Sequence, residues 1–305
     1  MKFTSIIVPV YNEAENIIPI AGDIQQCCQV EYEIIFVDDG STDATFSTIH
    51  QLAETDNRIK CISLSRNFGH QNALMAGLQH ARGNYIIIMD GDGQHPPALI
   101  PDLIHKLAEG FDVVHTKRNK TANAGFVKKI FASLFYRFIN AISDTTIEPN
   151  QADFKAFTRK VLNGILQFEE RELFLRGIFS WIGFKNTILP FDAPARLHGK
   201  TKYSFGKMVK LALKGTTSFS FKPLRLALLI GSIISLLAFS FGIFAIVEYY
   251  KGNTVPGWAS LIIAVMFLGG TQLLAIGLLG EYIASLFTES KKRPLYLIDR
   301  KINID

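Results

Sequence analysis

Short, continuously apolar runs alternate with stretches of helical periodicity along the first 115 residues. Residues 3–8, 33–37, 59–64, 85–89 and 112–115 read as strands. Apolar runs of this length without alternation fit a parallel sheet covered on both faces. Between them, residues 13–27, 43–54, 70–81 and 97–108 read as helices, with Asp43 and the Pro96-Pro97 pair as start signals. The pattern predicts a doubly wound βαβ series, whose ligands collect beyond the carboxyl ends of the strands.

The pattern changes after residue 120. Phe131, Leu134, Phe135, Phe138 and Ile142 recur at helical spacing beside Lys128, Lys129 and Arg137. A second basic amphipathic stretch covers 204–215, with Lys207, Lys210 and Lys214 on its polar side. Such helices either lie in a membrane interface or pack on a soluble domain, and periodicity does not choose. Residues 226–247 and 258–280 then contain no Asp, Glu, Lys or Arg, and each exceeds the ~20 residues that span a bilayer core. The expected organisation is a cytoplasmic catalytic domain at 1–220, a two-helix transmembrane hairpin at 221–290 and a cytoplasmic tail at 291–305.

Composition sharpens this picture. Apolar residues make up 48% of the 305 and charged residues 19%, and the excess lies in the two spans. Lys214, Lys222 and Arg225 precede the hairpin and Lys291, Lys292 and Arg293 follow it, so the positive-inside rule puts both termini in the cytoplasm of a multi-pass inner-membrane protein. Residues 1–10 lack the features of a signal peptide. Cys27, Cys28 and Cys61 are odd in number and lack metal-ligand spacing, so neither a disulfide framework nor zinc is indicated. The net charge of +5 is concentrated near the membrane, which favours lipid and phosphate partners over nucleic acid. Gly269, Gly270, Gly277 and Gly280 permit close helix packing and a homo-oligomer.

Polar residues follow three strands: Pro9 to Glu13, Asp38 to Ser41, and Asp90-Gly91-Asp92-Gly93-Gln94. No GxGxxG follows the first strand and no GxxxxGK[ST] occurs, which removes the main support for dinucleotide and P-loop readings. Asp90 and Asp92 at a strand end suit a hard cation that also touches diphosphate oxygens, with Gln94 as an amide ligand.

The stretches VPVYNEAENI, VDDGSTD, LSRNFGHQNALMAGL, MDGDGQHPP, NQADFKAFTR and RLHGKTKYS, followed by two spans, resemble the inverting family-2 glycosyltransferases of the GT-A fold. The resemblance is nearest to the polyprenyl-phosphate sugar synthases and dolichol-phosphate mannose synthase. It implies an α/β Rossmann-like domain with a mostly parallel sheet, and transfer of a sugar from a nucleotide-diphosphate donor to polyprenyl phosphate. By that resemblance Pro9, Tyr11, Glu13, Val37, Asp39, Asp90, Gly91 and Asp92 bind the donor, with Asp38 the alternative to Asp39 at the base. Either aspartate could instead cap the helix near Asp43. Arg66 is expected to help orient the donor. Asp90, Asp92 and Gln94 hold Mg²⁺ or Mn²⁺. Asp92 and Asp153 are the catalytic candidates, and Arg118, Lys129, Ser133, Arg196 and Lys202 take the acceptor or donor phosphates. Gly91 and Gly93 depart from the Ala and Leu common in relatives, and Lys129 stands where the mannose synthases have arginine.

A phosphate acceptor is already ionised near neutral pH, so Asp153 serves either as a base or as an orienting group. Two rivals remain. A processive polysaccharide synthase should carry Gln-x-x-Arg-Trp, which precedes neither Trp181 nor Trp258. A non-enzymatic membrane scaffold would have no need of the acidic turns. UDP-glucose is the first expectation for the donor, ahead of UDP-linked amino sugars and GDP-mannose.

Overall fold

The computed structural model describes residues 2–119, 151–170, 175–192, 194, 222–252 and 257–304. The chain divides into two compact units, one built on a sheet and one on two long helices. In the first unit β1 (Thr4–Val10), β2 (Tyr32–Asp38), β3 (Ile59–Leu64) and β4 (Tyr85–Ile88) are joined by α1 (Ala14–Cys27), α2 (Thr45–Thr55) and α3 (His70–His80). A 3-10 turn at Pro97–Leu99 leads into α4 (Ile100–Ala108) and β5 (Val113–Arg118). Then come β6 (Gln151–Thr158), α5 (Arg159–Ile165), α6 (Leu175–Trp181) and β7 (Asn186–Phe191). The second unit contains α7 (Lys222–Tyr250) and α8 (Trp258–Ser290), after which β8 (Ile298–Ile302) belongs to the first unit again.

The sheet runs β7-β5-β6-β4-β1-β2-β3-β8. Strands β3, β2, β1 and β4 are parallel, and every residue of β1 and β2 is buried. That burial explains their unbroken apolar sequence. β6 lies antiparallel between β4 and β5, β7 is parallel to β5, and β8 is antiparallel to β3. The chain builds outward from β1 to β3 and crosses back to β4 on the other side. The topological switch point therefore lies between β1 and β4, the place where sheets of this type commonly take ligands beyond the carboxyl ends of their strands. On one face Ile6, Val8, Ile34 and Phe36 pack against Ile17, Ile20 and Ile24 of α1.

The opposite edge is closed by polar contacts. Glu33, 1% exposed, pairs with Lys60 at 2.6 Å and accepts the Arg82 amide at 2.8 Å. The Arg159 guanidinium donates to the Gly83 carbonyl at 2.8 Å.

Residues 291–305, expected as a tail, contain β8, which completes the sheet beside β3. Its charged sequence IDRKI suits an edge strand and hides it from apolar pattern reading. The expected basic stretches at 128–142 and 204–215 lie outside the described residues. Both long helices contain spans apolar and long enough to cross a membrane, Ala227–Glu248 and Ile263–Ser290. α8 runs ten residues beyond the charge-free span that ends at residue 280.

Candidate active site

The chain leaves β4 through Met89 into the turn Asp90 to Gln94. Asp92 Oδ1 accepts the Gln94 backbone N–H at 3.0 Å. Gly93 has φ +75°, a conformation that side-chain-bearing residues rarely adopt. A Cβ on Gly91 would come within 2.6 Å of Val10 Cγ1. The two glycine departures thus shape the turn to fit against the end of β1.

His95 anchors the turn from beneath. It is 1% exposed, stacks on Phe154 of β6 with centroids 5.1 Å apart, and accepts the Asp90 amide N–H on Nδ1 at 2.8 Å. Burial lowers its pKa and favours the neutral ring that this acceptor role requires. The Asp90 carboxyl sits between two imidazoles, with Oδ1 3.5 Å from His70 Nε2 and Oδ2 3.6 Å from His95 Nε2. Asp90 Oδ1 is buried with no hydrogen-bond partner among the described residues. Such an orphan costs ~1–3 kcal/mol, and a hard cation would satisfy it. Among the described residues no three His, Cys, Asp or Glu side chains form a metal cage by themselves. Two carboxylates that share an ion with substrate phosphates need no such cage.

Gln94, the third expected metal ligand, has a further contact. Its Oε1 accepts from Arg118 Nη2 at 3.2 Å, so the amide oxygen expected on the metal is engaged at the end of β5. Arg118 Nε is buried without a hydrogen-bond partner among the described residues. That leaves a guanidinium donor beside the acidic turn.

A cavity of about 600 Å³ opens farther along the same edge, lined by Tyr11, Asp38, Ser41, Ser63, Arg66 and Arg300 among others. Asp38 Oδ1 accepts the Ser41 amide at 3.0 Å and Oδ2 accepts the Ser63 hydroxyl at 3.2 Å. Asp39, expected to hold the base, lines no part of this cavity. Its two oxygens instead accept the amides of Phe68 and Gly69 at 2.7 and 2.9 Å. Burial raises its pKa against the pull of those amides. Asp38, the alternative, is the aspartate on the cavity wall.

Pro9 and Val37 are buried within β1 and β2 and do not line the cavity. Glu13 Oε2 accepts the Asn16 amide at 2.5 Å, and its own N–H donates to Thr45 Oγ1 at 2.9 Å. With Asn12 Oδ1 accepting the Thr42 N–H at 2.9 Å, these bonds tie the loop after β1 to the loop after β2. Of Pro9, Tyr11 and Glu13, Tyr11 is the one on the cavity wall.

On the other side of β4, Asp153 of β6 meets Arg176 of α6 in a bidentate pair, with Nε–Oδ1 2.7 Å and Nη2–Oδ2 2.8 Å. Burial alone would raise the Asp153 pKa, but the bonds and charge of Arg176 outweigh it and hold the carboxyl well below the usual range. Lys155 lies two residues along on the same face. It is 2% exposed, its ammonium stands 4.4 Å from the centre of the Phe179 ring, and burial lowers its pKa to about 8. Lys129, Ser133, Arg196 and Lys202 lie outside the described residues.

Sequence reasoning missed His70, His95, Lys155 and Arg176. His95 sits inside the motif and had a signal there. Strand alternation through ADFKAF would have put Lys155 beside Asp153. Arg176 had no local signal, because its partner is 23 residues away in sequence.

Comparison with known proteins adds the relationship. The profile of glycosyl transferase family 2 matches residues 5–166, more than half of the chain. The Escherichia coli K12 protein named prophage bactoprenol glucosyl transferase homolog is 43% identical over 301 residues, which cover 97% of this chain and 98% of that one. The bactoprenol glucosyl transferase of Shigella phage SfV is 42% identical over 299 residues, 96% and 97% of the two chains. The crystal structure of S. aureus TarS 1–349 in complex with UDP-GlcNAc shares the fold, with a TM-score of 0.50 at 20% identity over 72% of this chain and 66% of that one. A mostly parallel sheet ending in acidic turns, matched by one family over more than half the chain, identifies the protein as a glycosyltransferase that belongs to family 2 and has the GT-A fold.

Proposed function

We propose that this glycosyltransferase moves glucose from UDP-glucose to polyprenyl phosphate in one inverting displacement. The observation that carries the reading is the order of features along the carboxyl edge of the sheet. The acidic turn follows β4, Tyr11 follows the adjacent β1, and the Asp38 cavity follows β2. One nucleoside-diphosphate sugar can therefore lie along the edge, its diphosphate at Asp90 and Asp92 and its nucleoside in the cavity. The names of the two bactoprenol glucosyl transfer relatives support glucose and a polyprenyl acceptor.

Asp90 and Asp92 would hold Mg²⁺ or Mn²⁺, which when bound offsets the charge gathering on the departing nucleoside diphosphate. An acceptor phosphate oxygen forms the new bond to the anomeric carbon. The bond to the diphosphate breaks, and its electron pair leaves with the nucleotide. No proton has to be removed from an ionised phosphate. That fits Asp153, which Arg176 engages through both oxygens and holds well below the usual carboxylate range, so an orienting role suits it better than that of a base. Arg118 donates to the phosphates beside the turn. Lys129, Ser133, Arg196 and Lys202 remain our candidates for the acceptor phosphate.

α7 and α8 form the membrane hairpin of this reading. An apolar groove of about 1030 Å³, with Arg225, Ser232 and Ser235 among its lining residues, runs along them and suits a lipid chain. That β8 follows the hairpin and pairs with β3 supports both ends of the hairpin emerging on one side. Flanking lysines and arginines favour the cytoplasmic side of the inner membrane.

The test is release of nucleoside diphosphate by the purified full chain. Release should require both polyprenyl phosphate and a divalent cation, and Asp92→Asn should abolish it. Undiminished release in EDTA, or release indifferent to the lipid, would refute the reading.

A further inference from the structure

The strand that follows the membrane hairpin ends up at the ligand edge of the sheet. β8 runs antiparallel to β3, with Ser63 opposite Arg300 and Leu64 opposite Ile298. Its first residues therefore lie at the carboxyl end of β3, beside the cavity lined by Asp38 and Ser63. The register shifts between Ser63 and Leu64, which leaves Asp299 as the extra residue of a β-bulge.

That bulge has a chemical consequence. Neighbouring side chains of a regular strand point to opposite faces, and a bulge interrupts that alternation locally. Asp299, the bulged residue, and Arg300 both line the cavity, beside Ser63 and Leu64 of β3. The Arg300 guanidinium stands 5.1 Å from the centre of the Phe46 ring, itself on the cavity wall, and Arg300 Nε pairs with Asp299 Oδ2 at 3.0 Å. A planar donor group thus shares the cavity wall with Asp38.

The segment is firmly attached. The Ser65 amide donates to the Leu297 carbonyl at 2.9 Å, the Asn303 side-chain amide donates to the carbonyls of Ala53 and Ile59 at 2.8 and 2.9 Å, and the Tyr296 hydroxyl bonds Gln79.

We propose that Asp299 and Arg300 are specificity-determining residues of the donor site and form the outer wall of its nucleoside subsite. The proposal rests on the donor reading above and adds the residues and the base chemistry. Arg300 offers N–H donors to carbonyl oxygens of the base, and Asp38, which already accepts from Ser41 and Ser63, keeps a second lone pair on each oxygen to accept an N–H. Uracil presents that pattern. Cytosine has a ring nitrogen acceptor where the N–H is needed, so a carboxylate there would repel it.

The experiment measures UDP and CDP binding to the full-length protein in detergent, together with donor and acceptor KM. Wild type should prefer UDP. Arg300→Ala should weaken UDP binding by about tenfold, the scale of one lost hydrogen bond to a charged group, and raise the donor KM with the acceptor KM unchanged. Asp299→Asn keeps size and should narrow the gap between UDP and CDP. Lys301→Ala, one position along β8 and off the cavity wall, should match wild type. If Arg300→Ala perturbs folding, Arg300→Lys keeps the charge without the planar fork and should still weaken UDP. Unchanged UDP affinity in all the Asp299 and Arg300 variants overturns the inference alone. Failure of wild type to bind any nucleoside diphosphate overturns the donor reading beneath it.

Discussion

Asp38 and Asp39 are neighbours with opposite tasks, since one faces the cavity and the other holds the loop after β3 through the amides of Phe68 and Gly69. Asp39→Ala should therefore lose ~2–4 kcal/mol of stability as two amides go unpaired, measured as a drop in thermal stability. Asp38→Asn should weaken the donor with little change in melting. The Asp153 pair gives a pH prediction. The carboxyl is depressed in the fold, so its stabilising contribution is present above the ordinary carboxylate range and is lost only as pH falls through its depressed value. Arg176→Met removes the pull and leaves the burial that raises the pKa. An acid limb should then appear in the rate profile at higher pH than in wild type; identical profiles would end the orienting role. Lys155 runs the other way. Its pKa falls from 10.5 to about 8 on burial, so the unfolded chain binds more protons between those values and stability should rise across that window. Lys155→Met should flatten the rise, which melting curves from pH 7 to 11 would detect.

The elements with unbroken apolar sequence were legible. Strands β1 to β5 and the first four helices appear where periodicity predicts them, shifted by a residue or two at most ends. The exceptions are β5, which runs three residues further to Arg118, and α4, whose first turn is 3-10. Strands β6, β7 and β8 were not read as strands. β6 carries Asp153 and Lys155 among its apolar residues, β7 contains Pro190, and β8 has three charges in five residues. Each deviates for a physical reason: a functional face, or an exposed edge that avoids pairing with other chains. The acidic turn is visible because its two carboxylates, Asp90 and Asp92, are two residues apart. The Arg176 clamp and the β8 wall depend on contacts that only the folded chain creates. At this scale, truncation before β8 should uncover the β3 edge and lower both thermal stability and UDP affinity. A truncated chain that melts and binds as wild type would deny β8 its place.

At the scale of the whole molecule, chain order constrains topology. β8 pairs with β3 after two helices long and apolar enough to cross a membrane, so on the proposed reading the chain crosses an even number of times. Single cysteines substituted at Gly252 and at Asn303 should label from opposite sides of the membrane in vesicles of known orientation, and same-side labelling would exclude the hairpin. The central claim, that a nucleoside diphosphate along this edge yields its sugar to a lipid phosphate, is tested most directly by the lipid product. Purified protein, polyprenyl phosphate, Mg²⁺ and α-linked UDP-glucose should give a lipid heavier by one hexose, with the β configuration at its anomeric carbon by NMR. A retained α linkage would contradict the single displacement. No sugar on the lipid from any nucleotide donor would contradict the account as a whole.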